Sequence, residues 1–198
     1  MSQTGNIIVF SGSLRDHSIN VMLAKSVVNE LESEGVSSTF LDLRNFDIPL
    51  YNGDSEDRNG LPKDLCLIHE QISTARGFIV TSPEYNGFFT PLLKNLVDWL
   101  SRPVPDQLVA GPFRRKPVLL MSASPGKLGG VRGLQASRQL FSNVGAFVSP
   151  DQLSIPFAED CFDAAGFLTA DQHTRRLKKL TRQFVLELDC FSSQGKRR

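Results

Sequence analysis

Apolar runs and periodic apolar faces alternate about five times along the chain, the signature of a sheet interleaved with helices. Ile7, Ile8, Val9 and Phe10 are continuously apolar, as in a strand buried on both faces. Val21, Ala24, Val27, Val28 and Leu31 then recur at helical spacing and predict a helix over 19–34, ended by Gly35. A second strand is expected at 37–43, a loop from Arg44 to Gly60, and a helical face through Leu65, Ile68, His69 and Ile72. The loop is long for a compact domain, which favours a functional or interface role. Residues 77–82 read as a third strand and 91–101 as a helix, with Thr90 as N-cap and Pro91 at its first position. A loop over 102–115 precedes a fourth strand at 116–122, and helix resumes through Leu134, Ser137, Arg138, Leu140 and Phe141. A fifth strand reads as broken, 146–148 and then 153–155, before a polar connection and a last helix over 169–191.

Strand and helix in this order predict one α/β domain over 1–198, frayed at 1–5 and 192–198. Right-handed crossovers favour a five-stranded parallel sheet of order 2-1-3-4-5 with helices on both faces, a three-layer arrangement. Such sheets bind ligands beyond the carboxyl ends of their strands, where the winding reverses. The loops after strands 1, 3 and 4 open on that edge, and all are polar and glycine-bearing.

The first loop is Ser11-Gly12-Ser13-Leu14-Arg15-Asp16-His17-Ser18-Ile19-Asn20. Arg15 offers a bidentate partner for phosphate, Ser11, Ser13, Ser18 and Asn20 offer donors, and the following helix adds its positive end. The stretch has no Gly-Lys-Ser/Thr ending, no cysteine before the arginine and one glycine rather than three. It therefore fits anion binding better than triphosphate cleavage, thiolate phosphatase chemistry or a dinucleotide fingerprint. It also reads as an ordinary strand-to-helix turn with Ser18 as N-cap. The third-strand loop adds Pro83, Glu84, Tyr85 and Asn86, and the fourth adds Ser124, Gly126, Gly129 and Gly130, where backbone can approach a ring closely. A phosphate at one end and a flat ring at the other is the outline of FMN.

Composition narrows the partners. A net charge of +1 provides no field for nucleic acid or an anionic membrane. Cys66, Cys161 and Cys190 are widely spaced and read as reduced structural thiols, without metal-ligand spacing. No apolar stretch approaches a membrane span, and a cytoplasmic protein is expected.

Gly-Ser-Leu-Arg-Asp-His-Ser-Ile-Asn at 12–20, Ser-Pro-Glu-Tyr-Asn at 82–86 and Leu-Lys-Asn-Leu-Val-Asp-Trp-Leu-Ser-Arg-Pro at 93–103 resemble the NADPH-dependent FMN reductases of flavodoxin-like fold. The resemblance covers about residues 6–150. It implies that Ser13, Arg15, Ser18 and Asn20 hold the FMN phosphate and ribityl chain, and that Pro83, Glu84, Tyr85 and Asn86 meet the isoalloxazine. Ser124 and Gly126 would lie near another ring edge. It further implies hydride transfer from NADPH through flavin N5 to a small acceptor, a quinone, azo compound, chromate or free flavin, in a ping-pong cycle. A homodimer or homotetramer is implied too, a neighbouring subunit covering part of the flavin. The alternative on the same cofactor is a flavodoxin-type electron carrier without its own NADPH turnover. The chain departs from the family pattern at Gly87-Phe88-Phe89-Thr90-Pro91 and at Pro125, both near the second-substrate pocket. No loop shows a 2′-phosphate clamp beyond the scattered Arg102, Arg114 and Arg115.

Overall fold

The structure, a computed structural model, describes residues 5–103 and 111–194. The ends expected to fray fall largely outside these residues, as does the centre of the loop expected at 102–115. Five parallel strands form one sheet in the order β2-β1-β3-β4-β5. They are β1 (Ile7–Ser11), β2 (Ser38–Leu41), β3 (Gly77–Thr81), β4 (Pro117–Ala123) and β5 (Phe147–Ile155). Among the described residues six helices accompany them: α1 (Ile19–Ser33), α2 (Gly53–Asn59), α3 (Lys63–Ser73), α4 (Pro91–Leu100), α5 (Val131–Asn143) and α6 (Asp171–Gln194).

The sheet is buried on both sides, which is why its central strands lack the alternation of a half-exposed sheet. Ile7, Val9, Ile79, Leu119, Met121 and Leu153 pack with α1 and α6. Ile8, Phe10, Phe78, Val80, Val118 and Leu120 pack with α3, α4 and α5. Trp99 is in this second core, 2% exposed, with its indole N–H donating to the Pro49 carbonyl at 2.8 Å.

Two expectations need correction. β5 is continuous, because Ser149, Pro150 and Asp151 form a bulge rather than a break: Val118 pairs Val148 and Leu120 pairs Gln152. As an edge strand, β5 tolerates a proline that cannot donate to a ladder. Segment 44–60 is not a bare loop either. A 3-10 turn spans Leu43–Asn45, and α2 follows, capped by the Asn52 side chain. The segment is fastened to α4: Asn95 Nδ2 donates to the Pro49 carbonyl, the Tyr51 N–H donates to Asn95 Oδ1, and the Tyr51 ring meets Trp99 edge-on at 4.9 Å. Arg102 Nε lies 2.9 Å from both Glu56 oxygens and closes the arrangement.

Candidate functional site

β1 ends where Gly12 must lie flat against its neighbours. Its N–H donates to the Thr81 carbonyl at 2.7 Å, and its carbonyl accepts from Thr90 Oγ1 at 2.8 Å. A Cβ there would stand 2.7 Å from Ser82 Oγ. Beyond it the chain loops out and returns at Ser18, the N-cap of α1, whose side chain accepts from the Val21 N–H. Ser13 and Ser18 are buried, while Arg15 is exposed. Two small hydroxyls, one guanidinium and a helix N-terminus thus share one end of a cleft.

The β3 loop leaves the sheet at Pro83 and doubles back at once. Tyr85 and Phe88 exchange backbone hydrogen bonds of 3.0 Å across a two-residue turn. Asn86 and Gly87 both have positive φ, 52° and 83°, the conformation an Asn-Gly pair adopts most readily. The turn leaves Tyr85 44% exposed at the rim. Across the cleft, the β4 loop carries Ser124, whose Oγ accepts from the Gly126 N–H, and ends at Gly130 in the left-handed region against Ser122.

The cleft between these loops has a volume of about 340 Å³. Ser13, Arg15, Ser18, Asn20, Pro83, Glu84, Tyr85 and Ser124 line it, which brings together eight of the eleven residues expected from the sequence. Ser11, Asn86 and Gly126 belong to the same loops but do not line it. His17, Ile19, Pro125 and Glu159 also line it. Glu159 escaped the sequence reading because only its place after β5, another strand ending on this edge, links it to the loops.

Two of the expected residues are also tied to backbone of the protein itself. Asn20 Nδ2 donates to the Ala123 carbonyl at 2.8 Å and Oδ1 accepts the Ala123 N–H at 3.0 Å. Both polar atoms of its amide therefore bond the sheet, which leaves Nδ2 one further N–H. Glu84 Oε2 accepts the N–H groups of Arg132 and Gly133 at 3.0 and 3.1 Å, and Oε1 accepts from Arg132 Nε at 2.8 Å. Burial pushes this carboxyl up, but the Gly133 amide and the Arg132 guanidinium outweigh it and leave Glu84 below its ordinary pKa. It is an ionised acceptor, not an acid. The arginines considered for a 2′-phosphate lie elsewhere: Arg102 is paired with Glu56, and Arg114 and Arg115 lie where Gly145 precedes β5, at the opposite end of the sheet. Among the described residues no cluster of His, Cys, Asp or Glu could hold a metal, and no helix is long and apolar enough to cross a membrane.

A doubly wound sheet of this order, with a cleft lined by hydroxyls and a guanidinium at its carboxyl edge, is the architecture of flavodoxin-like proteins. Residues 6–160 match the NADPH-dependent FMN reductase family, and the chain belongs to it. Similar proteins include a quinone reductase of Escherichia coli K12, 36% identical over 75% of each chain. An NAD(P)H-dependent FMN reductase of Pseudomonas aeruginosa is 35% identical over 87% of this chain and 89% of its own. A quinone reductase of Pseudomonas putida is 32% identical over 98% and 96%. The flavoenzyme NAD(P)H:(acceptor) oxidoreductase FerB of Paracoccus denitrificans shares the fold, with a TM-score of 0.81, 24% identity and coverage of 95% and 99%. The chain is accordingly an oxidoreductase with FMN as its flavin and NAD(P)H as electron donor.

The residues fit that cofactor. Ser13, Ser18 and Arg15 line one end of the cleft with donors suited to a phosphate, and Ser11 Oγ, buried where the same loop leaves β1, has no hydrogen-bond partner among the described residues. Gly129 and Gly130 keep the β4 loop pressed onto Ser154 and Ser122, where a Cβ would not fit.

Proposed function

We propose that the protein is an NADPH-dependent reductase of quinone-type and related small acceptors, working by a ping-pong cycle. The observation that carries this reading is a cleft that joins a cationic, hydroxyl-rich end to walls formed by Pro83, Tyr85, Ser124 and Pro125. The names of its relatives, which include quinone reductases and a Bacillus NADPH azoreductase, support that acceptor class.

Ser13, Ser18 and Arg15 hold the phosphate, with the N-terminus of α1 behind it. Pro83 and Tyr85 bound the ring on one side and Ser124 and Pro125 on the other, with Asn86 and Gly126 shaping the turns that carry them. A backbone N–H near Asn86 would bond the ring. FMN held there would supply hydride transfer from NADPH to the acceptor that takes its place, so no side chain need act as nucleophile or acid. Glu84 agrees with this, since its carboxylate has both oxygens engaged by Arg132 and Gly133 and is not an acid.

Leu14, Tyr85 and Phe88 are 48%, 44% and 51% exposed near the cleft, an apolar rim that a second subunit would cover. A cytoplasmic homodimer or homotetramer is the assembly we infer from it. The test is anaerobic turnover of the FMN-loaded protein with NADPH, repeated with NADH, against benzoquinone, an azo dye, chromate and free FMN. Quinone reduction without any partner reductase is the expected result. Absence of turnover until a reductase is added would replace this reading with that of an electron carrier.

A further inference from the structure

Helix α5 begins without a cap of its own. Its N-cap is Gly130, which has no side chain and sits at φ 82°, and no N-cap side-chain bond is made. First-turn N–H groups left so would cost stability in a helix packed on the sheet. The acceptor comes from another loop. Glu84 Oε2 takes the N–H groups of Arg132 and Gly133, the second and third helical positions, where an N-cap oxygen ordinarily acts. Its other oxygen takes the Arg132 guanidinium, and the side chain is 9% exposed.

The contact continues below the carboxylate. A Cβ on Gly133 would lie 3.1 Å from Glu84 Cβ, 3.2 Å from Glu84 Cα and 3.1 Å from the Phe88 carbonyl. The 83–88 loop therefore rests directly on the first turn of α5. The two loops joined here are those that face each other across the ring end of the cleft, Pro83 and Tyr85 on one side and Ser124 and Pro125 on the other.

We propose that Glu84 is the N-cap of a helix to which it does not belong, and that this bond sets the separation of the two ring-facing loops. Glu84 is then a positioning residue, not a flavin ligand. The inference rests on the flavin reading only for its effect on binding; the cap itself belongs to the protein alone.

Amide hydrogen exchange and flavin titration of the full chain test the two parts separately. In Glu84→Ala, exchange at residues 132 and 133 speeds up in the flavin-free protein. Affinity for FMN and for riboflavin, followed by fluorescence quenching, falls by the same factor of about ten, the scale of one lost cap passed on to binding. The FMN-to-riboflavin ratio stays at the wild-type value, because the phosphate end is untouched. Glu84→Gln retains the oxygen that accepts the two amides and restores both exchange and affinity. Gly133→Ala serves where Glu84→Ala fails to fold: it improves the helix yet pushes the 84–88 loop outward, and so weakens both flavins equally. Unchanged exchange at 132 and 133 in Glu84→Ala overturns the cap. Unchanged riboflavin affinity in Glu84→Ala or Gly133→Ala overturns the positioning role. Wild-type protein that binds neither flavin, with the exchange effect intact, overturns the flavin reading and leaves the cap standing.

Discussion

Replacing Asn20 by alanine separates a strut from a ligand. The last backbone rung between β3 and β4 runs from the Ser82 N–H to the Met121 carbonyl at 3.0 Å. Pro83 then takes β3 away, and the N–H and C=O of Ala123 face the gap. The Asn20 amide fills it with bonds of 2.8 and 3.0 Å, one donated and one accepted, as a strand peptide would. Asn20 is 3% exposed and Ala123 2%, so the Ala123 backbone groups lose a buried partner. Two bonds of about 1 kcal/mol each, plus the cost of leaving backbone groups unpaired, give a loss of about 3 kcal/mol. In a domain of this length that lowers Tm by about 6–12 °C. Circular-dichroism melts of the flavin-free variant read it directly. A melt within about 2 °C of wild type, accompanied by lost FMN affinity, would show that the amide serves the phosphate and refute the strut.

Arg15→Ala is expected to weaken FMN by about 1.5–3 kcal/mol, the range for a hydrogen bond to a charged group, and to leave riboflavin unaffected in the same titration. Gly12→Ala forces Ser82 or Thr90 aside from 2.7 and 3.1 Å and should cost about 1–3 kcal/mol in urea unfolding. Burial, with Lys116 alongside, holds His69 below the ordinary imidazole pKa. The unfolded chain then takes up the proton first, so this contribution is intact above about pH 6.5 and declines as the solution is acidified. Urea midpoints measured from neutral to mildly acidic pH should show a shallower decline in His69→Leu than in wild type; the part that remains includes His173, which burial shifts in the same direction.

The capped helix starts were legible because their causes are local, and the sheet order because crossover handedness leaves few arrangements of five strands. Ser18 and Thr90 accept from the N–H groups three residues on, and Pro91 follows Thr90 at a position that needs no donor. What was not legible is tertiary. Asn20 has the composition of a phosphate donor, and only the early departure of β3 turns its amide toward Ala123. Arg102 is a cation near a family motif, and only the fold of 46–60 brings Glu56 to it. The Asn86-Gly87 pair did carry a readable signal, since two residues of positive φ make a tight hairpin turn, and the flanking Tyr85 and Phe88 complete it. Glu159 had no local signal at all.

The same placements show why the cleft can be rigid with so few side chains inside it. The Thr90 hydroxyl, at the end of the β3 loop, holds the Gly12 carbonyl in the β1 loop. Asn20, at the end of the β1 loop, holds Ala123 where the β4 loop begins. Glu84, in the β3 loop, holds α5 where the β4 loop ends. Each loop is thus fastened to another by a side chain whose partner is backbone, so the fastening survives substitution of the partner residue unless the backbone itself moves. A site whose chemistry resides in a bound cofactor needs this fixed spacing more than it needs reactive groups. Phe88 and Pro125, where the chain departs from the family pattern, lie outside this bracing, so their side chains can differ without loosening the site.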